Sequence, residues 1–197
     1  MRDAKCTKCK SLDCYDGTDC FDLASEIIDS YSAEDRKSMN VSAKIESEYY
    51  MKLTRLEELI IYVKELGWKR VGIAFCIGLM DEARTLDLIL SHEGFEVFSV
   101  CCKACGIDKK KLRLKKLHPE MEHEATCNPI GQAKILNRQN TELNIVIGLC
   151  MGHDILFTKY SEAPVSTFIV KDRVLSHNPA GALYSSYYRK NRFGLEE

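Results

Sequence analysis

The sequence predicts an α/β protein: a three-layer, Rossmann-like arrangement of four to five mainly parallel strands flanked by helices, with a small amino-terminal cysteine-rich metal-binding segment. Three observations predict it. The apolar runs Val71-Gly-Ile-Ala-Phe-Cys76 and Ile145-Val-Ile-Gly-Leu-Cys150 have no polar partner at alternate positions, which suits strands buried on both faces of a parallel sheet. Helical stripes stand between such runs, as in β-α-β units. Three runs, counting Val97-Phe-Ser-Val-Cys-Cys102, end in cysteine, and the carboxyl edge of an open α/β sheet is where its ligand crevice lies.

A chain of 197 residues can bury one domain and carry a small appendage. The reading is a metal-binding segment over residues 1–21 and a core domain over residues 22–197. A net charge of -1 gives no general pull toward nucleic acid or a membrane surface. The amino terminus lacks the apolar core of a signal peptide, and no run approaches the ~18 apolar residues of a spanning helix. The expected location is therefore the cytoplasm, where disulfides are rare and grouped thiols bind metal or do redox chemistry. Ten cysteines are many for that compartment.

In chain order, Cys6-x2-Cys9-x4-Cys14-x5-Cys20 is too polar and short to build a core. Four thiolates can close a zinc site or hold a four-iron cluster, and spacing does not choose between them. Residues 22–40 carry a short helical pattern around Leu23, Ile27 and Ile28. From residue 42 to residue 66 the apolar positions Ile45, Tyr49, Leu53, Leu56, Ile60 and Val63 form one helical stripe, which Gly67 ends. The first strand runs to Cys76, a helix opens at Gly78, and Gly94 closes it before the second strand. This unit should cross over right-handed. The turn Cys76-Ile-Gly-Leu-Met-Asp81 lacks the Gly-x-Gly-x-x-Gly fingerprint, so a dinucleotide is not indicated.

Cys101 and Cys102 are adjacent in an extended segment and point to opposite faces. Cys102 and Cys105 are therefore assigned to the site and Cys101 is left as a buried thiol. The basic run over residues 109–116 reads as a solvated face, with an electropositive rim as the alternative. His118 and His123 read as exposed loop residues. Cys127 precedes a helix start, with Asn128 as cap and Pro129 in the first turn. The helix dipole there favours its thiolate, which makes it a ligand or a nucleophile. After Cys150, a short helix begins at Gly152-His-Asp154, where His153 can orient a ligand or move a proton. Residues 164–170 read as a fourth strand, followed by a ribbon at the sheet edge that brings His177 and Asn178 toward the site. The aromatic tail from Tyr184 suits packing on the body or on a second subunit.

The motifs Cys6-x2-Cys9, Cys127-Asn-Pro-Ile-Gly-Gln-Ala133 with Leu136-Asn137, Gly148-Leu-Cys-Met-Gly-His-Asp154, and Val170-Lys-Asp-Arg-Val174 with His177-Asn-Pro179 together resemble a family. It is one of uncharacterised, cysteine-rich proteins of anaerobic prokaryotes, a domain of unknown function often labelled metal-binding. The resemblance covers nearly the whole chain and implies metal binding without naming a reaction or a catalytic residue.

The leading expectation is an iron-sulfur protein, its cluster of the 4Fe-4S type, held through Cys76, Cys102, Cys105, Cys127 and Cys150. Cys6, Cys9, Cys14 and Cys20 would hold a second metal. Five core thiols exceed the four that such a cluster uses. Cys127 is the one expected to react, with His153 beside it. Redox or sulfur-handling activity on a small molecule fits, with a small substrate or a redox protein as partner. The second expectation is a non-catalytic zinc protein whose amino-terminal site is structural and whose core cysteines are buried as small hydrophobes. A thiol redox or metal-trafficking protein using Cys102-x2-Cys105 is the third. Whether the centre is catalytic is left open by the sequence.

Overall fold

The structure, a computed structural model, describes residues 4–196. The chain divides into two compact units, Met1–Lys52 and Leu53–Glu197. The first contains 3-10 turns at Cys6–Lys8 and Asp13–Asp16, then helix α1 (Ala24–Ser30) and helix α2 (Ala33–Tyr49). Helix α2 opens on a capping box in which Ser32 and Asp35 satisfy each other's backbone N–H.

The second unit begins with helix α3 (Arg55–Leu66). The stripe over residues 42–66 is thus two helices rather than one. Thr54 and Glu57 form a second capping box, which starts a helix afresh. Met51, at φ +57°, ends the preceding segment in a left-handed conformation that no helix continues through. Apolar spacing alone runs across such a break, because the stripe resumes in phase.

Four strands follow: β1 (Arg70–Phe75), β2 (Glu96–Cys101), β3 (Leu143–Ile147) and β4 (Val165–Ile169). They form one sheet in the order β2-β1-β3-β4, and every pairing is parallel. Helix α4 (Met80–His92) joins β1 to β2, helix α5 (Pro129–Arg138) lies between β2 and β3, and helix α6 (His153–Tyr160) lies between β3 and β4. A short helix, α7, spans Gly181–Tyr184, and a π-helical turn follows at Tyr188–Arg192. The segment after β4 forms turns rather than the expected ribbon. Asp172 there caps Val174 and Leu175 through their N–H groups at 2.9 and 2.7 Å, which curls the backbone away from an extended path.

Strand alternation sorts the core into two clusters. Val71, Ile73, Phe75, Ile145 and Ile147 pack with Leu59 and Val63 of α3, with Leu79 just before α4, and with Leu86 and Leu90 of α4. On the other face Ala74, Cys76, Val100, Cys102 and Val146 pack with Ala133 and Leu136 of α5 and Phe157 of α6. The strand order places the switch in winding direction between β1 and β3. Ligands collect outside the strand ends at such a point. No helix among the described residues is long and apolar enough to cross a membrane.

Candidate thiol centre

Cys76 and Cys102 stand side by side because the β1–β2 register runs past both strand ends. Phe75 pairs with Cys101, and the N–H of Cys102 still donates to the Phe75 carbonyl at 2.8 Å. The next residues in register, Cys76 and Cys102, therefore share a face. Both belong to the α5-side cluster, and both are buried. Cys101 takes the opposite orientation at the end of β2, as strand alternation requires.

Cys127 is brought to the same place by the start of α5. The Asn128 N–H donates to the Cys102 carbonyl at 2.7 Å, and its side-chain amide donates to the Ala104 carbonyl at 3.2 Å. The Asn128 side-chain oxygen meanwhile caps the helix by accepting from Gly131 N–H at 2.9 Å. A Cβ at Gly131 would lie 2.2 Å from that amide, so the cap needs glycine there. These bonds stitch the turn after β2 to the residue preceding α5, which is the thiol-bearing Cys127.

The three thiols form a row with Cys102 in the middle. Hydrogen bonding from Cys102 lowers the Cys76 thiol to about 5, helped by the Gly78 backbone and the Lys171 ammonium. The same bond from Cys102 lowers Cys127 to about 5, helped by Lys103 and His153. Cys102 itself is pushed strongly upward by Cys127, then Cys76, then burial. It keeps its proton. One S–H cannot donate to two sulfurs at once, so at any moment one flanking thiolate holds that bond while the other leans on its cations.

Cations surround the row. The Lys171 ammonium lies 3.4 Å from Cys76 Sγ and reaches it over Gly78, where a Cβ would stand 3.5 Å from Nζ. Arg173 donates to the half-buried Cys150 at 2.9 Å, and the charges of Cys76 and Cys127 also act on its guanidinium. Cys150 follows β3 by way of Gly148 and thus sits across the switch point from Cys76. His153, the first residue of α6, acts on Cys127 by charge, whereas Asp154 caps Gly152 and Ile155 at 2.9 and 2.8 Å.

Cys105 is exposed at φ +71° in its turn, and no described contact joins it to the row. Cys6, Cys9 and Cys14 are exposed and Cys20 is half-buried. Cys9 meets the Ser11 hydroxyl at 3.7 Å. His177 is structural: its Nδ1 accepts from Asp172 N–H at 3.1 Å. Among the described residues no three or more His, Cys, Asp or Glu side chains converge as a ready-made ligand set.

Four residues of the neighbourhood carry no thiol-like signal in sequence: Lys103, Gln132, Lys171 and Arg173. Gln132 is wholly buried, and its amide donates to the carbonyls of Phe75 at 3.2 Å and Val100 at 2.7 Å. It therefore ties together the ends of β1 and β2 directly beneath Cys76 and Cys102. Its side-chain oxygen has no partner.

The profile of a family described as Protein of unknown function (DUF1847) matches residues 16–168. An uncharacterized protein of Methanocaldococcus jannaschii is 58% identical over 188 residues, which cover 94% of this chain and 96% of the relative. No solved structure matches the chain.

Proposed function

The chain belongs to this family of proteins of unknown function, and from its own geometry we propose a metal-thiolate centre at the carboxyl edge of the sheet. The thiols of Cys76, Cys102 and Cys150 are its donors, Cys127 beside them is left to react, and an iron-sulfur cluster is the group proposed first. The observation that carries this is the thiol row itself, built from the β1–α4 and β2–α5 connections and flanked by cations. The donor set fits: soft thiolates are what iron-sulfur clusters and zinc take, two flanking thiols are already lowered to about 5, and Lys171 and Arg173 offset the negative charge such a group adds. Bound there, a cluster would supply electrons or an iron able to hold sulfur. The chain's part is to present Cys127 as a reactive thiolate, with Lys103 and His153 stabilising its charge, for redox or sulfur-handling chemistry on a small molecule in the cytoplasm. Cys6, Cys9, Cys14 and Cys20 are proposed as a second, separate metal site.

A non-catalytic zinc site is the second reading. Neighbouring sulfurs in hydrogen-bonding contact suit ligands about 2.3 Å from one tetrahedral ion more readily than the spread corners of a cube. Against a purely structural role stands the packing, since the two apolar clusters of the body give it a core without metal.

Purification without oxygen, followed by assays of iron, acid-labile sulfide and zinc per chain and a visible spectrum, separates the readings. Brown protein with iron and sulfide supports the cluster. Colourless protein with about one zinc per site supports the second reading, and metal-free protein with titratable thiols overturns both.

A further inference from the structure

We propose that the small molecule handled at the thiol centre is an anion, bound by Lys171 and Arg173 with Lys103 as a third cationic contact. This rests on the thiols being a small-molecule centre, and it names the class of substrate. The cations arrive from both flanks of the row, since Lys103 follows β2 and Lys171 and Arg173 follow β4, the two outer strands of the sheet. Lys171 meets Cys76 at 3.4 Å and Arg173 meets Cys150 at 2.9 Å, while Lys103 donates to the Ala125 carbonyl at 2.7 Å and acts on Cys127 by its charge.

The carboxylates nearest in sequence are turned away. Asp172, between the two cations, accepts from Val174 and Leu175 N–H, and Asp154 accepts from Gly152 and Ile155 N–H. Among the described contacts, Lys171 and Arg173 meet thiols and no carboxylate at the row. Arg173 has five N–H donors in a planar fork, of which one meets Cys150, and such a fork matches a carboxylate or sulfur oxyanion.

The loop that carries these cations is preset for this. His177 accepts from Asp172 N–H at 3.1 Å and returns its own N–H to the Asp172 carbonyl at 2.9 Å. Ser176 and His177 hold the turn with left-handed backbone, at φ +50° and +64°. Lys171 and Arg173 thus flank Asp172, whose backbone this turn holds, which lowers the ordering that opposes binding.

The test titrates sulfate, acetate and neutral acetamide into protein purified without oxygen, by calorimetry at constant ionic strength, with iron, sulfide and zinc assayed on the same sample. At least one of the two anions should bind in the millimolar range or tighter while acetamide does not. Arg173→Gln and Lys171→Gln should each weaken that binding about tenfold or more, with Arg173→Lys recovering part of the loss. Which anion binds more tightly tells a sulfur oxyanion from a carboxylate substrate. Binding of neither anion, equal binding of acetamide, or wild-type affinity in both glutamine variants overturns the proposal. Metal-free protein that still binds the anion through these residues upholds it and sinks the metal centre; metal-loaded protein that binds no anion does the reverse.

Discussion

Replacing Gly148 by alanine should destabilise the body of the fold by about 2–5 kcal/mol, the sum of a backbone part and a packing part. Gly148 has φ +62°, a left-handed conformation that costs an L residue about 1–2 kcal/mol. An added Cβ would lie 1.9 Å from Leu79 Cδ1. Leu79 is 1% exposed, so its methyl group has no solvent to swing into, and overpacking of that kind costs about 1–3 kcal/mol. Gly152 provides the comparison, because it has φ +85° but nothing within 4 Å of its Cβ position. In urea unfolding, Gly148→Ala should therefore fall below Gly152→Ala by the packing part alone, about 1–3 kcal/mol. Adding Leu79→Ala to Gly148→Ala should return part of the loss as a favourable coupling. Equal losses at the two glycines, or no coupling, would refute the idea that the strand-end loops bearing Cys76 and Cys150 are locked against each other.

Three further outcomes follow from the same neighbourhood. Metal-free protein should gain stability as pH rises from 5 toward 8.5. Cys76 and Cys127 are lowered to about 5 in the folded chain against about 8.5 unfolded, so their contribution is full above the unfolded value and lost as pH falls through the folded one. Partial exposure limits the gain to about 1–2 kcal/mol; Cys102, shifted upward, should oppose it above about 8.5. A urea midpoint that stays level from pH 5 to 8.5 contradicts this. With iodoacetamide at pH 6, peptide mass spectrometry should find Cys127 modified well before Cys102, which is buried and keeps its proton; the reverse order would show the row to be wired differently. Gln132→Met should change unfolding free energy by no more than about 1 kcal/mol. Two donated bonds worth about 1 kcal/mol each are lost, while a buried oxygen without a partner, worth about 1–3 kcal/mol, disappears with them. A loss well beyond that would mean a bound water or thiol satisfies the oxygen.

The strands were legible because a two-faced burial pattern leaves an unbroken apolar run, as in Val71 to Phe75 and Ile145 to Leu149, and a parallel sheet follows from helices between such runs. The opposed faces of Cys101 and Cys102 follow from strand alternation alone. Two elements were misread for local reasons. The break between α2 and α3 depends on the Thr54 and Glu57 cap, which a periodic stripe passes over. The curl after β4 depends on Asp172 bonding to its own backbone, which competes with extension. Cys127 is tied to Cys102 by Asn128, a contact between segments distant in sequence that no spacing rule contains. Lys103, Lys171 and Arg173 look like ordinary surface charges until the sheet order brings the loops of both outer strands to one mouth. Gln132 could have been suspected from its position on the apolar face of α5, beside Ala133 and Leu136, where a polar residue needs partners.

The most direct test of a shared thiol centre is metal content per chain in Cys102→Ala against Cys105→Ala. Both changes are placed in protein whose Cys6, Cys9, Cys14 and Cys20 are serine, so that only body thiols count. Cys102→Ala should lose its iron or zinc, and Cys105→Ala should keep the parent amount. Equal retention, or equal loss, in the two variants would contradict a centre built on the Cys76, Cys102 and Cys127 row.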